Sequence, residues 1–387
     1  MTSRERVLGS LARTGYDRIP VKHEAVPEVN EQLMAHFGLS NIEQLLRVVG
    51  DDFRYIQPIY VGPELRAFPD GSQEGYWGER YSYQDYDGGQ YLEASYMPFA
   101  DIDSLDDLDR SHFPSADWFD YSTIKKQCEM LGGQFAVCFG GAGDMDFINS
   151  IARARGVEQV LIDLGTDDPV YRALLDARFE FYYQMHERAL QAAEGSIDIV
   201  HVGDDFGTQR GPMISMAMFE KFFAAKYGAY FEMAHRHGAR TMMHMCGCVE
   251  KFLPRLIELG LDIQDVVQPT APEMDIATLQ GKYGDRLNFC GSMCVQSVLP
   301  HGDLRDIRQE VERRLKLFPK GGLFLGPTHA IQVRTPIENI LEMYRAAGSL
   351  TERIDDSILA IRENETPAQA DRAGLTSFTR TDESSGS

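Results

Sequence analysis

His244 and Cys246 are the pair of residues in this sequence best suited to binding a metal ion. They stand two positions apart at the end of a predicted strand, so both side chains point to the same side of it. An imidazole and a thiolate at this spacing can bind one Zn2+, and a site with three protein ligands keeps a fourth position open for substrate. Gly247 lets the chain turn directly after the pair. In the alternative interpretation, Cys246 and Cys248 are small buried residues, and His244 is a hydrogen-bonded polar residue of the core.

Polar side chains also follow other predicted strands. Asp204 and Asp205 come after one of them, where a carboxylate can orient a substrate or take a proton. The alternative for these two residues is a turn with a salt bridge to Arg210. His329 follows the last strand and is a candidate third metal ligand, a general acid, or a cap for the helix that begins near Thr335. The candidate substrate-binding residues are Gln268, Arg334, Arg210 and Asp144.

The elements that must position these residues indicate an α/β fold, a single (β/α)8 barrel. Eight short apolar runs alternate with segments of helical periodicity, and the residues past the carboxyl ends of barrel strands share one mouth. A doubly wound sheet is the alternative, but no GxGxxG motif follows the first strand. The predicted strands are Arg18–Lys22, Phe53–Tyr60, Gln134–Phe139, Ile197–Val202, Ala239–Met243, Ile263–Val267, Leu287–Cys290 and Gly322–Leu325.

Two segments depart from this alternation. In residues 71–98, aromatic and polar residues alternate around the Asp87-Gly88-Gly89 turn, which predicts an inserted aromatic β-hairpin. We expect a packed minor sheet there, with a lid over the mouth or a surface for a partner or second subunit as alternatives. Apolar residues become rare in 364–387, which predicts a disordered tail. The barrel therefore spans 1–363, with the hairpin as its insertion.

Composition narrows the class of protein further. The 387 residues carry 38 Lys and Arg against 59 Asp and Glu, a net charge of −21. That charge argues against nucleic acid or an anionic membrane as the main partner. The sequence contains no apolar run near the ~18 residues of a membrane span, and its first residues do not read as a signal peptide. We expect a soluble cytoplasmic protein, possible as a homodimer, whose six cysteines are reduced thiols or metal ligands.

The second half of the sequence resembles the uroporphyrinogen decarboxylase-like superfamily, and the resemblance implies the same (β/α)8 barrel. Its members include the decarboxylases of the haem pathway and corrinoid- or thiol-dependent methyltransferases, with a related barrel in cobalamin-independent methionine synthase. The matching segments are GDDFGTQRGPMIS at 203–215, HMCG at the strand end, VVQPTAPEMD at 266–275, the YGDRLNFCGSMC block and GPTHAIQVRTPIENI at 326–340.

Departures from the true decarboxylases favour the methyltransferase branch. Those enzymes carry an arginine-rich signature after the first strand, where this sequence reads VKHEAVPEVNEQL. A substrate with several carboxylates needs arginine partners. Family methyltransferases resemble one another in a His-x-Cys pair plus a distant Cys that bind zinc, and His244 and Cys246 fit the pair. At the place of the distant Cys this sequence has His329. At the place of a zinc-binding Glu of methionine synthase it has Gln268, and Cys248 is the candidate to replace that missing ligand.

The resemblance implies a zinc-dependent methyltransferase that acts with a separate corrinoid protein or a thiol acceptor. The sequence has no DxHxxG run and no additional Rossmann-like segment, so a corrinoid would be carried by a partner protein. The metal would activate a thiol, or would bind a methoxy or hydroxy substrate directly as a Lewis acid. The alternative is a metal-free decarboxylase of a small carboxylate, with Arg210 or Arg334 as the clamp. A barrel that only binds its ligand is a third possibility.

Overall fold

A computed structural model describes residues 1–86 and 88–362 of the chain. Asp87 of the predicted turn and the predicted tail at 364–387 lie outside the described residues. The architecture is α/β, with one curled parallel sheet of seven strands in the order β1-β7-β8-β9-β10-β11-β12. The strands are β1 Phe53–Ile56, β2 Ile59–Tyr60, β3 Gln73–Glu74, β4 Arg80–Tyr86, β5 Gly89–Tyr96, β6 Phe119–Asp120, β7 Ala136–Gly140, β8 Ile199–Gly203, β9 Arg240–His244, β10 Ile263–Val267, β11 Asn288–Met293 and β12 Leu323–Pro327.

Helices connect successive strands of this sheet, and several begin at capping residues that the sequence supplies. Asp168 accepts hydrogen bonds from two backbone N–H groups at the start of the longest helix, and Asp303 forms a capping box with Asp306. None of the described helices is both long and apolar enough to cross a membrane. The α-helices are α1 Ser3–Leu11, α2 Pro27–Phe37, α3 Ile42–Val49, α4 Ile124–Met130, α5 Asn149–Arg155, α6 Val157–Thr166, α7 Pro169–Ala193, α8 Met216–Met218, α9 Ala224–Arg236, α10 Leu253–Leu259, α11 Ile276–Tyr283, α12 Val298–His301, α13 Leu304–Leu317, α14 Ile337–Ala346 and α15 Asp356–Leu359. Short 3-10 turns cover Arg110–His112, Ala116–Trp118 and Glu250–Phe252, and a π-helical turn, Phe219–Phe223, joins α8 to α9.

The first predicted strand, Arg18–Lys22, is wrong as a strand and is reduced to one bridge. Val21 pairs with Leu325 of β12 in a parallel bridge. The backbone of residues 20–22 bonds to both edges of the sheet, because Pro20 O accepts from Leu325 N at 2.8 Å and Val21 O accepts from Asp52 N at 3.0 Å. Pro20 has no N–H group, which prevents a continuous ladder. The segment nevertheless lies where an eighth strand would stand.

The inward-facing side of the curled sheet is layered. Residues at the amino ends of the strands pack with Val7 and Leu11 of α1, so this helix covers that end of the sheet. Each such buried apolar side chain stabilises the fold by about 1.5–3 kcal/mol. Two residues further along each strand, on the same side, stand polar or smaller residues. The lower layer contains Phe53, Ala136, Ile199, Met242, Ile263 and Phe324, and the upper layer contains Tyr55, Cys138, His201, His244 and Asp265.

A separate antiparallel sheet, β3-β4-β5, lies within residues 71–98. Strand β4 pairs with β5 from Arg80 to Tyr86, and Tyr81 is buried whereas Tyr83 is exposed. The hydroxyls of Tyr86 and Tyr91 lie 3.3 and 3.2 Å from Oε1 of Gln332. The tip of this sheet therefore contacts the loop that follows β12, three residues beyond His329.

Candidate metal-binding active site

Three different donor atoms meet at the carboxyl end of β9. Nε2 of His244 lies 3.2 Å from Sγ of Cys246. One carboxylate oxygen of Asp205 belongs to the same group, in which the ligand atoms all lie within 4.8 Å of one another. A nitrogen, a sulfur and an oxygen donor are a set that Zn2+ prefers, and three protein ligands leave room for one more group. The residues present therefore fit a zinc ion.

The local chain path explains how Cys246 and Asp205 come together. Asp205 Oδ1 accepts a hydrogen bond from the backbone N–H of Cys246 at 2.8 Å, and its Oδ2 accepts one from Asn149 Nδ2 at 2.9 Å. Gly247 has a φ of +75°, which confirms the predicted turn after the pair. A Cβ at that position would approach the carbonyl oxygen of Thr208 to 2.6 Å, so no larger residue fits.

Directly below the donor cluster lies a buried carboxylate, Asp265 of β10. Its Oδ2 is 3.1 Å from Nδ1 of His244 and 3.2 Å from Nε2 of His201. The ammonium of Lys22 lies 3.2 Å from Oδ1, and burial, with the nearby charge of Asp265, raises the pKa of the Cys290 thiol well above its ordinary value. Asp265 is therefore surrounded by hydrogen-bond donors, as a charge buried inside a protein requires.

These contacts set the orientation of the two histidine rings. Nδ1 of His244 is directed at Asp265, so its Nε2 is the ring nitrogen that faces Cys246. His201 is turned the other way, with its Nδ1 3.1 Å from the hydroxyl of Tyr55 and its Nε2 3.2 Å from Oδ2 of Asp265. A carboxylate behind a metal-binding imidazole is a common supporting arrangement in metal sites.

The buried charges around Asp265 and the donor cluster shift the pKa values of the neighbouring side chains. Burial alone would lower the pKa of Lys22, but the ion pairs with Asp265 and Glu24 raise it well above its ordinary value. Burial alone would raise the pKa values of Asp265 and Glu24, but the charge of Lys22 holds that of Asp265 well below the usual range and that of Glu24 at about 2. Burial raises the pKa of the Cys246 thiol. Burial alone would lower the pKa of His244, but Cys246 and Asp265 raise it well above its ordinary value.

His329 and Glu24 lie on the rim of the cluster. The rings of His244 and His329 stand edge to face with their centroids 6.2 Å apart. Ile331 N donates to Glu24 O at 3.0 Å, so the segment carrying Glu24 runs beside the segment carrying His329. Burial, followed by the charge of His244, lowers the pKa of His329. The helix after this loop begins at Ile337, and His329 does not cap it.

Asp204 is held differently from its neighbour Asp205. Its carboxylate accepts from the backbone N–H of Ile148 at 3.1 Å and lies 3.1 Å from the hydroxyl of Tyr227. Burial, with the nearby charge of Asp146, raises the pKa of Asp204 well above its ordinary value. The side chain thus links the segment just before α5 to Tyr227 of α9 by hydrogen bonds. This placement argues against the predicted catalytic role, and the predicted salt bridge from Asp204 to Arg210 is also not found within the described residues.

The two neighbouring aspartates should therefore respond differently to the same substitution. We expect Asp204→Asn to leave zinc binding unchanged, because Asp204 bonds to Ile148 and Tyr227 rather than to the donor cluster, and an amide can take part in the same hydrogen-bond network. Asp205→Asn should weaken zinc binding by about tenfold or more, since it replaces a charged oxygen donor. Competition with a chromogenic chelator measures both affinities. Equal losses in the two variants would contradict the assignment of Asp205 to the donor cluster.

Gln268 and Cys248 lie near the donor residues in the chain, but neither side chain belongs to the donor cluster. Gln268 Oε1 accepts from the backbone N–H of Gly247 at 2.8 Å and from Gln209 Nε2 at 3.0 Å. The charges that act on the buried Cys248 thiol are those of Glu273, Lys251 and Glu250, and its pKa is raised by burial. We predicted Cys248 as a replacement ligand, and these surroundings argue against that role.

The remaining predicted substrate residues are dispersed. Arg210 and Arg334 have exposed side chains on the loops after β8 and β12. That exposure disfavours them as a buried carboxylate clamp for a decarboxylase. Asp144 is mostly buried, and its Oδ2 lies 3.0 Å from Nε2 of His186, whose Nδ1 is 2.7 Å from the hydroxyl of Tyr230.

Sequence reasoning missed four residues of the cluster. His201 and Asp265 lie inside predicted strands, and Lys22 and Glu24 lie in or just after the first one. A signal was present, because a charged or polar residue two places after a buried Ile, as in IVHVG and IQDVV, faces the same side of the strand. The position differs from that of His244 and Asp205, which lie at or past the strand ends.

Comparison with known proteins places the chain in a family. The family profile described as Uroporphyrinogen decarboxylase (URO-D) matches residues 78–350, more than half of the chain. The chain therefore belongs to the URO-D family. A comparison with curated proteins gave no significant match.

A solved methyltransferase structure shares the fold at low sequence identity. A methyltransferase from Methanosarcina mazei has a TM-score of 0.58 at 17% identity, covering 90% of this chain and 98% of its own. The 3-keto-D-glucoside 4-epimerase from E. coli has a TM-score of 0.37 at 14% identity, covering 59% and 84%. At 17% identity, the similarity to the methyltransferase describes a shared fold.

Proposed function

We propose that this URO-D family member is a zinc-dependent methyltransferase, built on a (β/α)8-type barrel in which the extended segment at residues 20–22 takes the place of the first strand. The observation that carries the proposal is the cluster of His244, Cys246 and Asp205 donor atoms at the carboxyl end of β9. The methyltransferase from Methanosarcina mazei, which shares the fold, adds support at the level of family and class.

His244, Cys246 and Asp205 would hold the metal, and His329 is the candidate for a further ligand or a proton acceptor. When bound, Zn2+ supplies a Lewis acid that lowers the pKa of a substrate thiol or hydroxyl. Asp265 orients the His244 ring, and Asn149 orients the Asp205 carboxylate. His329 is neutral at physiological pH because its pKa is lowered, so its imidazole can accept the proton that the substrate loses.

The methyl group would come from, or go to, a corrinoid on a separate protein, with a thiol as the alternative acceptor. A bound corrinoid would supply or accept the methyl group, and a thiol acceptor would lose its proton and become a thioether. The net charge of −21 does not favour nucleic acid as the partner. The proposal also includes a separate corrinoid protein as the partner, a homodimer and a cytoplasmic location.

Metal content and methyl transfer test this proposal together. We expect about one zinc per chain in the wild type, and its loss in both His244→Ala and Cys246→Ala. The zinc-loaded protein is then mixed with methylcobalamin and 2-mercaptoethanol, and the methyl thioether is measured by mass spectrometry. Methoxy compounds with cob(I)alamin test the opposite direction. A protein that binds no zinc under reducing conditions, or that binds it without methyl transfer in either direction, would contradict the proposal.

Zinc affinity should depend steeply on pH. The raised pKa values mean that His244 and Cys246 together hold at least one proton at neutral pH, which the metal must displace. Affinity should therefore fall as the pH is lowered, by about tenfold per pH unit for each proton released. Chelator competition between pH 6 and pH 8, an interval of about two units, gives the slope. A flat profile would mean that the ligands are not these two residues.

A further inference from the structure

Lys22 is a buried cation inside the curled sheet, and its side chain contacts two carboxylates. Its Nζ lies 3.2 and 3.3 Å from the two oxygens of Asp265 and 3.0 Å from Oε2 of Glu24. The lysine side chain is 3% exposed and that of Asp265 is fully buried. Buried charges of this kind are rare unless they are paired, and losing one partner leaves the other uncompensated.

The backbone around Lys22 is fixed independently of its side chain. Lys22 N donates to Leu325 O at 2.9 Å. The preceding Val21 N donates to the carboxylate of Asp52 at 2.8 Å, and the following His23 N donates to that of Asp51 at 2.7 Å. The ammonium is therefore delivered to Asp265 from a rigid segment rather than from a flexible loop.

The contacts form a continuous path from Lys22 to the candidate metal donors. Lys22 binds Asp265, the Asp265 Oδ2 atom contacts Nδ1 of His244, and Nε2 of the same ring faces Cys246. A carboxylate can hold an imidazole in one orientation only if the carboxylate is itself held. Lys22 and His201 are the two groups that hold it from the other sides.

We infer that Lys22 is a positioning residue of the candidate metal site, which fixes Asp265 so that the His244 ring presents Nε2 beside Cys246. This inference rests on the proposed function in taking His244 and Cys246 as metal ligands. It assigns a role to a residue in the segment where true decarboxylases carry arginines.

The same geometry argues against a second metal ion in this layer. His201, His244 and Asp265 lie close enough to bind one. However, the Lys22 ammonium already occupies the Asp265 carboxylate, and a metal cation there would be repelled by it at short range. The layer therefore supports the donor cluster above it.

Zinc and cobalt(II) affinities of Lys22→Met test the inference without any enzyme assay. Methionine keeps much of the length of the lysine side chain and removes its charge. We expect zinc affinity to fall by about 10–100-fold, the usual effect of losing a group that supports a metal ligand. The thiolate-to-cobalt absorption band should weaken in parallel. Lys22→Arg, which keeps a cation able to bind the carboxylate, should recover part of the affinity.

The matched control is Lys226→Met, which removes a lysine from the ion pair with Asp176 on the outer helices and should leave zinc affinity unchanged. If Lys22→Met does not fold, the neutral double variant Lys22→Met with Asp265→Asn replaces it, and the same loss is expected. Wild-type affinity in whichever variant folds would overturn the inference while leaving the proposed function standing. A wild type without zinc would instead overturn the proposed function.

Discussion

Replacing Cys246 with alanine should remove zinc from the protein, whereas the same replacement at Cys248 should leave it bound. Cys246 Sγ is in direct contact with His244 Nε2 and within the cluster that includes Asp205. Losing a direct ligand should cost more than the ~10–100-fold loss typical of supporting residues. Metal analysis of the purified variants, followed by chelator competition, measures the difference.

Cys248 is the control that the chain itself offers. It is the same residue type, two positions away and buried, but its thiol is under the influence of Glu273 and Lys251. A general effect of thiol loss on folding would therefore appear in both variants. Zinc loss in Cys248→Ala alone, or in neither variant, would contradict the donor cluster, and equal loss in two variants that both remain folded by circular dichroism would make Cys248 a ligand as well.

The central donors could be predicted because they depend on local spacing. His244 and Cys246 share one side of a strand end, and Gly247 turns the chain immediately afterwards, so a short sequence window contains the whole signal. The parallel strands could also be predicted from apolar runs, because each of the seven strands of the curled sheet overlaps a predicted one, although the predicted Phe53–Tyr60 strand divides into β1 and β2 of different sheets. The apolar run at Arg18–Lys22 failed because it contains Pro20, and its pairing depends on Asp52 rather than on a ladder.

The supporting layer could not be predicted with the same certainty, because it is assembled from distant segments. Asp265 receives Lys22 from 243 positions away and His244 from 21 positions away. Spacing along the chain says nothing about which buried carboxylate meets which buried cation. For the same reason, Asp204 and Asp205 read alike in sequence, although one binds a neighbouring loop and the other meets Cys246.

Asp52→Ala should produce the largest loss of stability among these variants. This carboxylate is fully buried at the start of β1 and contacts Arg6 Nη1 at 2.6 Å and Arg18 Nη1 at 2.8 Å. It also accepts from the backbone N–H of Val21 at 2.8 Å. Removing it leaves the backbone N–H of Val21 without its acceptor and takes a buried carboxylate from both arginines, which costs about 3–5 kcal/mol. Urea denaturation followed by circular dichroism measures the change.

A surface ion pair provides the comparison for Asp52. Asp117 pairs with Arg188 but is exposed, so Asp117→Ala should cause no measurable change in the urea midpoint. A loss below about 1 kcal/mol in Asp52→Ala would show that residues 20–22 are held by other contacts. The expected larger loss would link stability to function, because Asp52 fixes the backbone that delivers Lys22 to Asp265. Zinc affinity in Asp52→Ala should then fall even under conditions in which the variant remains folded.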